Sequence, residues 1–214
     1  MRLSFSKGQP VEKPINVTLA SQSVGRKMLL DKLGIRFRVV VAHVEEEDIV
    51  DPDPLVMIRR RAAAKVDEII NNPRVYGIAT EEKSLVIAAD SMAIMGKEVF
   101  GKSKDKDGAK EMLRRLMGRT HVFATAVNAV YVVSGVEKRR TAKIIKTRVT
   151  MRKMTPAEVE SYVARYDFTR FAAAYAINEA PWHLVTKIDG SYTNVIGLPF
   201  EVLIPILRNL KIVV

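Results

Sequence analysis

The chain has no cysteine, one tryptophan and three histidines among its 214 residues, and aromatic side chains make up only 7%. Without cysteine there is no disulfide, no thiolate nucleophile and no thiolate metal ligand, which agrees with a reducing compartment. The histidines, His43, His121 and His183, are too dispersed to suggest a metal site, and each reads as structural. No apolar run reaches the about 18 residues of a membrane span, and the opening MRLSFSKGQPVEKP lacks the unbroken apolar stretch and small-residue cleavage site of a secretory signal. A cytoplasmic protein with no membrane partner is expected. Internal repeats and low-complexity tracts are also missing.

What is present is a hydrophobic fraction of 48%, enough to bury a core of about 70% of the unfolded surface. Lysine and arginine total 35 against 24 acidic residues, a net charge of +11. That field favours anionic partners such as nucleic acid, anionic lipid or phosphorylated metabolites. The basic residues are scattered, without a finger, basic-zipper or RNA-recognition signature, so a nucleic-acid partner has charge but no motif behind it, and a solvated basic surface accounts for the same composition.

Residues 1–14 read as a flexible arm and 15–214 as one domain in which strands and helices alternate. INVTLAS is a strand, and GRKMLLDKLG a helix with Met28, Leu29, Leu30 and Leu33 on one side and Gly34 as its stop. FRVVVAHV is a second strand running into EEED; a helix spans 53–71, and SLVIAADSMAIM forms one or two strands. A helix over 105–117 precedes the strand HVFATAVNAVYVV, which returns through RTAKIIKTRVTMRKM as an antiparallel partner. TPAEVESYV opens a helix with Thr155 as N-cap, Pro156 at its first position and Glu158 closing a capping box. WHLVTKIDGSY gives a strand and turn before a last helix over 198–210. Hairpins together with crossover helices predict an α/β fold with a mixed sheet.

Five features carry possible chemistry. In LASQSVGRK, Ser21, Ser23, Gly25 and Arg26 lie between a strand end and a helix start, an outline phosphate cradle and equally an ordinary helix cap. Glu46, within the acidic cluster Glu45 to Asp48, offers hard oxygen ligands for a cation or is part of a solvated loop. Lys65 sits beside an Ala-rich helical stripe, from which it snorkels to water or points into a cleft. Asp90 stands alone between two apolar runs, where an ionised carboxylate needs partners. Lys102 follows Gly101 in a loop ahead of a helix. Together they form an inventory for polyphosphate and a divalent metal. Trp182 reads as a core or rim residue, Tyr175 and Tyr192 as core residues or nucleobase contacts, and Asn194 and Gly197 as shaping the turn before the last helix, with Asn194 a further ligand candidate.

From about Val17 to Leu207, the order and spacing of these segments resemble the Maf-type nucleotide pyrophosphatases of the inosine triphosphate pyrophosphatase superfamily. The segments are LASQSVGRKMLL, VEE with Glu46, RRAAAKV with Lys65, AADS, GKS, LMGRTH, AAAYAIN and GSYTNVIGLP. The resemblance implies a two-lobed α/β fold, an elongated mixed β-sheet flanked by helices with a central cleft, and a homodimer. It implies hydrolysis of nucleoside triphosphates, canonical or modified, ribo or deoxy, to monophosphate and pyrophosphate, with a divalent cation (Mg²⁺, Mn²⁺ or Co²⁺). Asp90 is then the catalytic base and, with Glu46, a metal ligand, while Ser21, Ser23, Arg26, Lys65 and Lys102 bind phosphate.

The chain departs from the family pattern at positions tied to base choice. Gly25 stands where the family has an arginine, Ser91 where it has threonine and Asn178 where it has glutamine; Ser103 replaces a proline. Loss of a long bidentate side chain is expected to broaden or redirect base selection. The rival reading is a non-catalytic, basic nucleic-acid-binding or cell-division regulatory protein on the same fold.

Overall fold

The computed structural model describes residues 14–179 and 184–214. Most of the expected N-terminal arm, together with Trp182 and His183, lies outside the described residues.

The expected mixed sheet is present with seven strands. Strands β1 (Asn16–Ala20), β2 (Phe37–Val40), β3 (Lys83–Met95), β4 (Glu98–Phe100), β5 (Thr120–Val133), β6 (Val136–Met151) and β7 (Val185–Asp189) run in the order β2-β1-β3-β5-β6-β7, with β4 paired to β3. β1 is parallel to β2 and β3; all other pairings are antiparallel. SLVIAADSMAIM proves to be part of one 13-residue strand. The three-residue β4, just ahead of the loop carrying Gly101 and Lys102, is new.

Helices α1 (Val24–Lys32), α2 (Pro54–Asn71), α3 (Lys106–Leu116), α4 (Pro156–Arg165), α5 (Tyr192–Ile196) and α6 (Phe200–Asn209) flank the sheet. α2 starts where Pro54 fixes φ and Asp53 caps Leu55 N at 2.8 Å. α4 has the anticipated capping box, Thr155 with Glu158. The last helix follows the expected turn at Gly197, at φ +111°, and starts after Pro199, close to the expected boundary; the short α5 ahead of that turn stands where only a strand and turn were expected.

Alternation along β3 sorts the packing. Leu85, Ile87 and Ala89 face a cluster with Leu29 and Leu30 of α1 and Leu203 and Leu207 of α6. Val86, Ala88 and Met92 face Ile58, Ala62, Val66 and Ile69 of α2. Each wholly buried leucine or isoleucine here contributes about 2 kcal/mol. Beyond Ala93 a further core gathers Phe100, Leu113, Leu116, Phe123, Tyr162 and Phe168 under α3 and α4.

β1 pairs with β3 only as far as Ile87, and β4 takes up the same side from Ala93. Between them, residues 88–92 have an edge left open by the sheet. Asp90 is at the middle of that gap.

Candidate active site

A cleft of about 580 Å³ opens over this gap, and Ser21, Ser23, Arg26, Glu46, Lys65, Asp90, Ser91, Lys102 and Asn178 all line it. Nine positions picked from segments spread over more than 150 residues thus converge. Gly25 does not line the cleft: a Cβ there would lie 3.0 Å from Ile196 Cγ2 and 3.1 Å from Ile196 O, against α5.

The centre is a cation between two carboxylates. Lys65 Nζ lies 2.6 Å from Glu46 Oε2 and 3.3 Å from Asp90 Oδ1, and reaches Ala89 O at 3.4 Å. Only 10% of the Lys65 side chain is exposed, so it points inward. α2 covers the face of β3 that carries Asp90, which is why a lysine one turn past Ala62 arrives there. Glu46 comes from a short 3-10 turn, Glu46–Asp48; Glu45, Glu47 and Asp48 stay exposed, as a solvated loop would.

Burial pushes the Asp90 carboxyl above the usual range, and the charges of Lys65 and Arg26 only partly oppose it. Burial also pushes Glu46 upward, but it is more exposed than Asp90, and Lys65, Lys102 and Arg26 together hold it below its ordinary value. The two carboxylates are thus shifted in opposite directions, Glu46 down and Asp90 up.

Arg26 approaches from the other face of β3 and is almost fully buried. Nε donates to Gly197 O (2.9 Å), Nη1 to Ser21 Oγ (3.1 Å) and Ala89 O (2.8 Å), and Nη2 to Ser91 Oγ (3.0 Å). Four of its five N–H groups are thus committed to protein. It ties α1, the α5–α6 turn and both residues flanking Asp90 into one unit. Burial lowers its pKa, with Asp90 and Glu46 opposing.

The network continues through Thr125 and Thr147, which sequence gave no signal for. Ser91 Oγ shares a hydrogen with Thr125 Oγ1 (2.9 Å), Thr125 donates to Asn194 O (3.1 Å), and Asn194 Nδ2 donates to Phe123 O (3.0 Å) and Thr147 Oγ1 (2.9 Å). Asn194 is wholly buried and does not line the cleft, so it joins α5 to β5 and β6.

Tyr175 is buried at the cleft wall with its hydroxyl 2.9 Å from His121 Nε2. His121 is itself buried, and His43 packs against Tyr76. Tyr192 lines a smaller cavity of about 230 Å³ that shares Tyr175 and Ala176 with the cleft wall. Arg170, Phe171 and Gln22 also line the cleft and were not picked out in sequence; nothing in a lone loop arginine marks it.

Among the described residues no group of three or more His, Cys, Asp or Glu could hold a metal. Glu46 and Asp90, both within reach of one ammonium, offer a two-carboxylate donor set. Mg²⁺ is commonly held by one or two carboxylates together with substrate phosphates, so the residues fit a divalent ion in company with phosphate oxygens. No helix among the described residues is long and apolar enough to cross a membrane.

Comparison with known proteins gives the same direction. A dTTP/UTP pyrophosphatase of Citrifermentans bemidjiense is 34% identical over 196 residues, 92% of this chain and 96% of that one. One of Nitratidesulfovibrio vulgaris is 36% identical, covering 91% and 88%, and one of Dictyoglomus thermophilum is 32% identical, covering 91% and 95%. A dITP/XTP pyrophosphatase structure from Mycobacterium abscessus, at 13% identity and a TM-score of 0.33 over 92% of this chain and 98% of that one, is too distant to bear on the reading. The Maf-like protein model matches residues 16–210, and the chain belongs to that family.

Proposed function

We propose that this chain hydrolyses nucleoside triphosphates to nucleoside monophosphate and pyrophosphate in the cleft over residues 88–92. The observation that carries the reading is the Lys65 ammonium held between Glu46 and Asp90 at the open edge of β3. The relatives, described as dTTP/UTP pyrophosphatases, support it.

Asp90 accepts the proton of a water whose oxygen attacks the α-phosphorus. The bond from that phosphorus to the bridging oxygen breaks, and pyrophosphate leaves with its electron pair. Lys65 keeps Asp90 oriented and opposes the charge growing on the phosphate oxygens. Ser21 and the backbone N–H groups at the start of α1 hold phosphate oxygens, and Arg26 keeps Asp90, Ser21 and Ser91 in register. A divalent ion held by Glu46 and Asp90 would neutralise phosphate charge and lower the pKa of bound water.

Base preference differs from that of the relatives in this proposal. Gly25 offers no side chain, Ser91 Oγ is engaged by Arg26 and Thr125, and Asn178 is shorter than glutamine, with Nδ2 near Met28 Sδ (3.6 Å) and Glu179 Oε1 (3.5 Å). The test is a panel of canonical, methylated and deaminated triphosphates with Mg²⁺, Mn²⁺ or Co²⁺, following pyrophosphate and monophosphate. Turnover should fall by about 10²- to 10⁴-fold in Asp90→Asn. Near-native pyrophosphate release by that variant, or none from the native chain with any substrate, refutes the reading.

A further inference from the structure

The loop carrying Lys102 is fastened to the segment carrying Arg170 by two backbone hydrogen bonds. Ser103 N donates to Thr169 O (3.0 Å) and Ala173 N donates to Gly101 O (2.8 Å). Each of the two cations is therefore next in sequence to a fastened residue, and both line the cleft. The second fastening is made through a turn in which Ala173 and Ala174 both adopt positive φ, 61° and 56°. For alanine that conformation costs about 1–2 kcal/mol per residue, so the contact between the two segments is maintained against local strain.

Neither Lys102 nor Arg170 makes a salt bridge or side-chain hydrogen bond among the described residues. The nearby acids have closer hydrogen-bond partners, although Asp167 also feels the charge of Arg170 and Glu46 that of Lys102: Asp167 Oδ1 accepts from Thr169 Oγ1 (2.7 Å) and Thr169 N (3.2 Å), and Glu46 is held by Lys65. Two like charges on joined loops repel unless an anion lies against both. Arg26 cannot meet that anion with more than one N–H, and Gly25 has no side chain to offer.

A triphosphate whose α-phosphorus lies at Asp90 has two further phosphates, carrying most of its charge, to place along the cleft. Lys102 and Arg170 line the same cleft as Asp90, on two loops that the backbone bonds hold together. We propose that Lys102 and Arg170 form the subsite for the two terminal phosphates, the part that leaves as pyrophosphate, with Arg170 a binding residue. The planar guanidinium suits this because it can meet two phosphate oxygens at once. The inference rests on the pyrophosphatase reading for the direction in which the triphosphate lies.

Calorimetric titration needs no turnover and separates the two ends of the substrate. The full chain with Mg²⁺ is titrated with inorganic pyrophosphate and, separately, with nucleoside monophosphate. Arg170→Gln should weaken pyrophosphate binding by about 10- to 100-fold, the scale of a charge-assisted hydrogen bond, and leave monophosphate within about twofold. Arg170→Lys should fall between, and both should melt with the native chain because the Arg170 side chain is exposed and makes no hydrogen bond or salt bridge among the described residues. Pyrophosphate affinity within about twofold of native in Arg170→Gln, equal loss for the monophosphate, or no pyrophosphate binding by the native chain would overturn the subsite. Native turnover measured alongside tests the pyrophosphatase reading alone: pyrophosphate held through Arg170 without cleavage of any triphosphate would refute that reading and keep the subsite.

Discussion

Arg26 has the side chain of a phosphate ligand and the bonding of a brace, and Arg26→Met distinguishes the two. Methionine keeps the apolar stem and removes the guanidinium. Ser21 Oγ can turn to water in the cleft, and Ser91 Oγ keeps Thr125 at 2.9 Å, so neither hydroxyl loses all its partners. Ala89 O keeps Lys65 Nζ at 3.4 Å, a long contact, whereas Gly197 O loses its only side-chain donor among the described residues. One buried carbonyl left bare costs about 1–3 kcal/mol, and the three other lost bonds about 1 kcal/mol each. Relief of burying a guanidinium, whose pKa that burial lowers, offsets part of this, leaving about 3 kcal/mol. For a chain of this length that is a fall in Tm of about 6–12 °C. The assay is thermal unfolding, with a urea midpoint at unchanged slope as a check on two-state behaviour. Arg26→Lys should be nearly as destabilised, because one nitrogen cannot replace donors directed to four acceptors. If both variants melted within about 2 °C of native while the KM for triphosphate rose about a hundredfold, Arg26 would be a ligand and the bracing argument would be wrong.

Three further outcomes follow from the same contacts. Activity that needs ionised Asp90 falls as pH drops through its raised pKa; Lys65→Met removes the largest charge opposing that rise, so the acid limb of kcat/KM should move to higher pH, and an unmoved limb would separate Asp90 from the rate. Gly197→Ala places a Cβ at φ +111° and 3.2 Å from Arg26 Nε, costing about 1–3 kcal/mol, which differential scanning calorimetry should read as a fall in Tm of about 2–12 °C. Burial lowers the His121 pKa to about 4, below its unfolded value of about 6.5, so the unfolded chain binds the proton first: stability is complete above about pH 6.5 and is lost as pH falls toward 4. That window is worth up to about 3 kcal/mol, and in urea titrations His121→Gln should flatten it.

Asp90 was legible because a lone carboxylate between apolar runs needs a partner, and the partner turned out to be Lys65, for which the helical pattern allowed either water or a cleft. The cleft was chosen by the pairing of β3: alternation sends Asp90 to the α2 face, and the loss of β1 after Ile87 opens the edge. The bracing role of Arg26 was not legible, since its acceptors at Ala89, Ser91 and Gly197 are 63 to 171 residues away. Gly25 lies outside the cleft lining for a simpler reason: neighbours on a helix are about 100° apart, so with Arg26 turned to β3 its neighbour turns to α5, and a motif written along the chain does not show that rotation.

The net charge of +11 divides in the same way. Four cations and two carboxylates line the cleft, Arg26, Lys65, Lys102 and Arg170 against Glu46 and Asp90, an excess of positive charge that draws polyphosphate without any nucleic-acid motif. Much of the rest lies on β6. β7 pairs only with Arg148 to Met151, so the stretch before it, with Lys138, Arg139, Lys143 and Lys146 exposed, has an unpaired edge among the described residues. Charged side chains on such an edge oppose pairing with a second chain. Positive charge is thus concentrated in two places with different consequences, the cleft and the exposed part of one strand.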